Sequence, residues 1–250
     1  MINKLKSKIW VFLVSPKVSK IIYFIFVKNG FISSSYGKLK VDNRPTLAIS
    51  LLFWGLYERE DLYYINKYIK NDNYDVIEFG ASLGLTTLAI SNKTTRKIVS
   101  VEANPNLYDN LLQTKAINNV ENLTFINAVI DYSGENLVKF TIHNSSLSSS
   151  KGCNGVNCVD IVPIKLIDII KKYDIQKYFL VCDIEGAEVE LFLEETDKDL
   201  INNCVGIIIE LHPSIYKGVH YDFNSLIKII QNNFNMKLID LKNSTCVFMK

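Results

Sequence analysis

In the stretch "DVIEFGASLGLTTLAIS" an acid, Glu78, stands two residues before Gly80 and six before Gly84, and apolar residues then resume at helical spacing. A strand-to-helix turn of this kind lets the backbone pass close to a ligand and directs the first helical amides at it. The dinucleotide fingerprint G-x-G-x-x-G uses three glycines to admit a pyrophosphate. Here the pattern is E-x-G-x-x-x-G, and an acid at the turn repels a pyrophosphate and attracts an ammonium. A second acid, Glu102, ends the apolar run of "IVSVEANP" about 20 residues further on, where a carboxylate can accept hydrogen bonds from both hydroxyls of a ribose. The competing reading of Glu102 is an acid favoured by the dipole of the helix that starts in "NLYDNLL". Asn127, late in "FINAVID", is placed to meet an adenine edge, and Asp183, in "FLVCDIEGAE", faces the same cleft.

Three residues are candidates for moving a proton. Asp183 is best placed by topology. His212, in "ELHP", has an intrinsic pKa suited to accepting a proton near neutrality, and Glu185 is the reserve, with Glu188 three residues beyond it. Each has a plainer reading: Asp183 as a holder of a ligand's amino group, His212 as a hydrogen-bonded cap, the two glutamates as helix N-terminal acids. His143 and His220 fall in loop-like segments with no expected catalytic part. Asp183, Glu185, Glu210 and His212 together have ligand types for a divalent metal, but the expectation is that no metal is held. "CNGVNC" (Cys153, Cys158) is half a zinc site with no second pair at ligand spacing. Five dispersed cysteines (Cys153, Cys158, Cys182, Cys204, Cys246) suit reduced thiols in a cytoplasmic protein.

The elements that must position these groups alternate. Strands are expected at Val76–Phe79, Ile98–Val101, Leu123–Ala128, Phe179–Cys182 and Val205–Leu211, with helices at Leu85–Ile90, Asn106–Ile117, Leu166–Lys172 and Val189–Glu194. Short strands apolar on both faces and separated by helices predict a parallel sheet covered on both sides. Before them, "RPTLAIS" reads as a turn or strand and Glu60–Lys70 as an amphipathic helix. After them come a helix in "FNSLIKIIQNNF" and two strands, "MKLIDL" and "TCVFMK", whose three-residue link "KNS" makes them antiparallel. The polar stretch "HNSSLSSSKGCNGVNC" is expected to be a mobile insert.

With 48% apolar residues in 250, one substantial core is expected. Eight lysines (Lys4, Lys6, Lys8, Lys17, Lys20, Lys28, Lys38, Lys40) and no acid fall in residues 1–41, so the rest of the chain is net acidic. That excludes nucleic acid as the expected partner. The basic segment carries "IWVFLV" and "IIYFIFV", each far short of the ~20 apolar residues of a membrane span, and no convincing cleavage site of a signal peptide follows. Residues 1–30 therefore have two readings: peripheral contact with an anionic membrane at its inner face, or a helical flap or homo-oligomer contact.

Taken together, "DVIEFGASLG", "VSVEANPNLYDNLLQTKAIN", "LTFINAVIDYSG", "VDIVPIKLIDII", "FLVCDIEGAEVELF" and "GIIIELH", in this order between about Tyr57 and Pro213, resemble the FkbM-type S-adenosylmethionine-dependent methyltransferases. "DIEGAE" is the most specific block, since generic methyltransferases lack it. The resemblance implies an α/β, Rossmann-like class I methyltransferase fold: a seven-stranded, mostly parallel sheet with an antiparallel C-terminal strand, helices on both faces and an N-terminal helical extension. Residues 1–56 would be that extension and 57–250 the methyltransferase domain. It also implies S-adenosylmethionine as cofactor. Glu78 stands where the family has an acid, usually Asp, near the methionine moiety; Gly80, Ala81 and Gly84 match the cofactor loop. Glu102, followed by Ala103 and Asn104, matches the ribose-binding acid, and Asn127 with Ala128 the adenine side. Asp183 matches the acid beside the reaction centre, and Glu210 and His212 fall where the family has a Glu and a His. Glu at 78 adds a methylene and Ser82 replaces a commoner Asn, and neither change removes a needed donor or acceptor. Such proteins often methylate sugar hydroxyls, so O-methylation of a saccharide or secondary metabolite is expected.

Two other classes remain open on the residues. Tyr173 and Lys177 have the Y-x-x-x-K spacing of short-chain, nicotinamide-dependent oxidoreductases, against which stand the missing third glycine and the acid at position 78. The third reading is a catalytically silent Rossmann-like binding protein.

Overall fold

The computed structural model describes residue 13 and residues 15–41, 46–142, 150–152 and 157–250. Its centre is one sheet of seven strands: β1 (Asp75–Phe79), β2 (Ile98–Glu102), β3 (Leu123–Asn127), β4 (Tyr178–Cys182), β5 (Cys204–Glu210), β6 (Lys237–Lys242) and β7 (Thr245–Met249). The spatial order is β6-β7-β5-β4-β1-β2-β3. All neighbours are parallel except β7, which runs antiparallel to both β5 and β6. This is the expected seven-stranded, mostly parallel α/β sheet. Every residue of β1, β2 and β4 is buried, which is why these strands read as unbroken apolar runs.

Helices cover both faces. On one lie α1 (Pro16–Phe26), α2 (Thr46–Phe53), α3 (Arg59–Tyr68), α4 (Leu85–Ser91) and α5 (Pro105–Ile117); on the other α6 (Leu166–Tyr173), α7 (Glu188–Glu194), α8 (Lys198–Asn203) and α9 (Phe223–Asn233). The strand alternation sorts the core accordingly. Val76, Ile98, Val181 and Ile208 pack with Ile49, Ile65, Leu88 and Leu111. Ile77, Val99, Leu180 and Ile207 pack with Ile169, Leu191, Leu200 and Ile230.

Several local expectations change. α2 forms where a turn or strand was expected. Its apolar run has no period to distinguish helix from strand, and packing against α1, sealed by Ser19 Oγ and Ser50 Oγ at 2.6 Å, decides it. The N-terminal part also holds an antiparallel hairpin, Phe31–Ser33 with Lys38–Lys40, tied to α5 through Lys38 and Asn118 and through Lys40 and Thr114. Leu39 and Val41 are fully buried, so this segment adds to the core of the sheet domain. β6 and β7 are joined by two residues, not three, because Lys242 pairs with Thr245 and Asn243 takes the left-handed conformation (φ 56°) that Asn tolerates. Between β3 and β4 the insert builds a three-stranded antiparallel sheet from Val138–Thr141, Ser150–Lys151 and Cys158–Ile161. His143 and Cys153 lie outside the described residues. Cys158 is disulfide-bonded, which overturns the reduced-thiol reading for that residue. Cys182, Cys204 and Cys246 are free and buried.

α3 is clamped to the edge strand by one carboxylate. Asp240 of β6 accepts hydrogen bonds from Tyr64 Oη (3.1 Å), Tyr68 Oη (2.8 Å) and Lys67 Nζ (2.6 Å). Lys67 and then Tyr68 hold its pKa down to about 2. A carboxyl whose folded pKa lies below its unfolded value of about 3.9 contributes stability above that value and loses it as pH falls. Asp240→Asn should therefore cost about 1–2 kcal/mol near neutrality. In urea unfolding, its difference from the parent should narrow from about pH 4 towards the folded pKa.

Candidate active site

The strand order reverses between β1 and β4, and there an open cleft of about 800 Å³ lies beyond their carboxyl ends. Ligands of α/β sheets bind at this kind of position. The turn after β1 is built tightly. Gly80 has φ 90°, and a β-carbon added to it would sit 1.8 Å from the carbonyl oxygen of Asp183. Gly84 (φ 84°) caps α4, where a β-carbon would crowd Leu111 at 2.9 Å. Each glycine is thus required twice, by conformation and by space.

Glu102, the last residue of β2, and Asp183, the first after β4, flank Gly80 on the two neighbouring strand ends. Glu102 is buried and fixed by two backbone amides: Ser82 N donates to Oε2 and Asn104 N to Oε1, both at 2.7 Å. Asn104 in turn caps α5 by accepting from Asn106 N. Val101, Ala103, Leu107, Ala128, Val129, Ile130 and Phe140 make an apolar wall beside Glu102.

Around Asp183 the site is strongly acidic. Glu58, Asp61, Glu185, Glu188 and Glu210 approach it, with His212 among them. Asp183 Oδ1 is buried without a hydrogen-bond partner among the described residues. Burial, then the charges of Glu58, Glu210, Asp61 and Glu185, pushes the Asp183 carboxyl well above the usual range. Burial and the charges of Asp61 and Glu210 likewise raise Glu58 to about 8, and burial with Glu210 raises Asp61 to about 7. Carboxylates this close resist ionising together.

His212 answers that charge. Nδ1 lies 3.0 Å from Glu188 Oε1 and 4.0 Å from Asp183 Oδ1; Nε2 lies 3.7 Å from Glu185 and 3.9 Å from Glu210. Burial alone would lower its pKa, but Glu188, Glu185 and Glu210 outweigh it and hold the ring up to about 9. His212 thus holds a proton more tightly than its residue type alone suggests.

Of the residues expected at the site, Gly80, Glu102, Ala103, Ala128, Asp183 and Glu185 line the cleft, and His212 stands beside Asp183 and Glu185. Glu78, Ala81, Gly84, Asn104 and Asn127 do not line it. Glu78 is buried, and its Oε2 accepts from Thr87 Oγ1 and Ser100 Oγ, each at 2.5 Å, which ties α4 to β2. Burial raises its pKa against the hydrogen bonds from Ser100, Thr87 and Thr86. Asn127 gives its amide to the carbonyls of Glu102 and Ala103, so it holds the backbone at Glu102 in place. Sequence reasoning missed Tyr57, Glu58, Asp61 and Lys151. Tyr57 Oη meets Ser82 Oγ at 2.8 Å, and Tyr57, Glu58 and Lys151 all line the cleft. The acids of "YERED" were the available signal for the first group; Lys151 had none.

Residues 78–236 match the methyltransferase FkbM domain. No curated relative matches the chain. Similar solved structures include EvdMO1, at 11% identity over 76% of this chain and 40% of that one, with a TM-score of 0.42. A ribosomal protein L11 methylase from Lactobacillus delbrueckii subsp. bulgaricus is 7% identical over 76% and 75% of the two chains, with a TM-score of 0.43. A putative SAM-dependent methyltransferase from Streptococcus mutans is 10% identical over 77% and 48%, with a TM-score of 0.45. The chain thus spans less than half the length of EvdMO1 and of the Streptococcus protein.

The close approach of Gly80 to Asp183 carries a direct test. Gly80→Ala must separate β1 from the chain after β4, so a loss of about 3 kcal/mol is expected in urea unfolding. Gly134→Ala, at a similar φ of 84° but with nothing within 4 Å of the new carbon, should cost about 1 kcal/mol.

Proposed function

The chain belongs to the FkbM methyltransferase family, and we propose that it moves the methyl group of S-adenosylmethionine onto a hydroxyl oxygen of a saccharide or secondary metabolite. The observation that carries this reading is the pairing of Glu102 and Asp183 on either side of Gly80. The residues fit the cofactor. Gly80 leaves room that a side chain would fill, and two amides fix the Glu102 carboxylate at the end of β2, where an acid suits ribose hydroxyls. The apolar wall of Val101, Leu107 and Ile130 suits a purine, and the acids around Asp183 suit an ammonium. A pyrophosphate would meet Glu58, Asp183 and Glu185, and the one lysine lining the cleft among the described residues, Lys151, is already paired with Asp131 and Glu190, which speaks against a nicotinamide dinucleotide.

Bound there, S-adenosylmethionine supplies an activated methyl group on a sulfonium. The protein's own work is then to align the acceptor, which is worth up to roughly 7–11 kcal/mol in favourable cases, and to receive the hydroxyl proton. Asp183 takes that role in our reading, since its Oδ1 is unpartnered at the cleft. Glu185 lines the cleft as the reserve, and His212 stands beside Asp183 and Glu185. Several carboxyl groups around one opening can each accept from a different hydroxyl, as a polyhydroxylated acceptor requires.

Incubation with methyl-labelled S-adenosylmethionine and glycan extracts, followed by mass spectrometry, should give a labelled O-methyl saccharide. Calorimetry that shows binding of NAD and not of S-adenosylmethionine would sink the reading. Asp183→Asn should lower kcat by on the order of 10²-fold or more, and Glu102→Ala should mainly raise KM for S-adenosylmethionine.

A second observation favours a place for this chemistry. The outward face of α1 exposes Ile21, Phe24 (82% exposed), Ile25 and Phe26, with Lys17, Lys20 and Lys28 also exposed. No acid lies anywhere in residues 1–41. Among the described residues no helix is long and apolar enough to cross a membrane. We propose that this face rests on an anionic membrane surface, where each lysine contributes about 1 kcal/mol. Ile22 and Ser19 of the same helix are buried, so point changes are better tests than deletion. Lys17→Glu with Lys20→Glu should reduce co-sedimentation with phosphatidylserine-containing vesicles by on the order of tenfold or more. Dimerisation through this face without vesicle binding would overturn the proposal.

A further inference from the structure

The carboxylates beside the cleft do more than crowd one another. Asp183, Glu188 and His212 each bring one ligand atom into a group whose members all lie within 4.8 Å of one another. Within it, His212 Nδ1 is 3.0 Å from Glu188 Oε1 and 4.0 Å from Asp183 Oδ1. Bonds of about 2.0–2.6 Å to one hard divalent ion put its ligands about 3–5 Å apart, so these spacings suit a shared ion.

A second observation is independent of that clustering. Glu188 is completely buried, with 0% of its surface exposed, and its Oε2 has no hydrogen-bond partner among the described residues. Its Oε1 is already engaged, accepting from Ile184 N at 3.3 Å and facing His212. Asp183 Oδ1 is buried and unpartnered in the same way. Buried carboxylate oxygens ordinarily find donors. Two carboxylates of one cluster thus each carry an orphan oxygen, with an imidazole between the two groups.

We propose that Asp183, Glu188 and His212 bind one divalent cation that prefers oxygen ligands, of the Mg²⁺, Mn²⁺ or Ca²⁺ kind. Two carboxylates to one imidazole favour such an ion over a thiolate-seeking one. A further group, Glu58, Asp183 and Glu210, also has its ligand atoms within 4.8 Å and shares Asp183. It offers the extra oxygens that a hard cation takes, and Ser244 Oγ orients Glu210 by donating to Oε1 at 2.6 Å. This departs from the expectation that the chain holds no metal. Asp183 belongs both to the cluster and to the cleft. If the proposed saccharide acceptor is right, on which this last step rests, the ion stands where it can take adjacent hydroxyl oxygens of that acceptor.

The test uses the full chain, stripped with EDTA and free of cofactor and acceptor. Mn²⁺ is titrated by electron paramagnetic resonance and calorimetry, and Mg²⁺ and Ca²⁺ compete for the same site. One Mn²⁺ per chain is expected. Glu188→Gln and His212→Asn, each checked for folding by circular dichroism, should weaken it at least tenfold. Asp160→Asn, at a surface carboxylate paired with Lys139, should leave it unchanged. Absence of binding by all three ions, or binding that both site variants leave intact, would overturn the proposal. Methyl transfer is measured separately: ion binding without it sinks the proposed function and leaves the cation site standing, and transfer without ion binding does the reverse.

Discussion

At Gly80 the backbone passes so close to Asp183 that a single β-carbon would fall 1.8 Å from its carbonyl oxygen. The site depends on that contact. Asp183 N donates to Phe79 O at 2.9 Å, and Gly80 N donates to Val101 O at 2.9 Å, so the ends of β4, β1 and β2 are laced across this point. The lacing fixes the distance between Glu102 on one side and Asp183 on the other. It also explains the turn that follows Asp183, where Glu185 (φ 51°) and Gly186 (φ 98°) take left-handed conformations in succession. The chain must leave the strand end sharply to clear Gly80 and still begin α7 beside the cleft.

The acids gathered there carry the opposite problem. Bringing Glu58, Asp61, Asp183, Glu185, Glu188 and Glu210 together costs both hydration and mutual repulsion. His212 lies among them, and burial with mutual repulsion raises the pKa values of Glu58, Asp61 and Asp183. A fold seeking only stability would not keep so many carboxyls in one place. Their presence beside the cleft at the strand ends is what supports the proposed function.

Much of this was legible in the sequence where one physical demand selects one residue type. Strands buried on both faces must be apolar throughout, and β1, β2 and β4 were read on that account. A backbone that must pass another within contact distance needs glycine, and Gly80 and Gly84 were found that way. What was not legible depends on partners distant in the chain. Glu78 and Asn127 have the hydrogen-bonding capacity of ligand-binding residues, but capacity does not say to whom it is given. Here Glu78 Oε2 accepts from Thr87 and Ser100 while its Oε1 is buried without a hydrogen-bond partner among the described residues, and Asn127 gives its amide to the carbonyls of Glu102 and Ala103. Glu58 and Asp61 reach the strand ends only because Glu58 adopts φ 50° ahead of α3, a conformation its residue type does not announce.

The insert between β3 and β4 shows the same limit and adds a consequence. Most of the polar stretch expected to be mobile, residues 143–149 and 153–156, lies outside the described residues; in the described part Lys151 is tied to two buried carboxylates, Asp131 after β3 and Glu190 of α7. Burial alone would raise the pKa of Asp131, but Lys151 and Ser133 hold it below the usual range. Tyr132 adds to the same junction, its amide donating to Glu190 Oε1 and its hydroxyl to Glu195 Oε2, each at 2.9 Å. Buried charges leave a heavy penalty if either partner is withdrawn, so Lys151 cannot depart from Asp131 and Glu190 without uncovering both. The insert sheet is thereby anchored at the one strand pair that also presents Phe140 and Lys151 to the cleft. The apolar wall beside Glu102 thus owes part of its shape to an ion cluster on its far side.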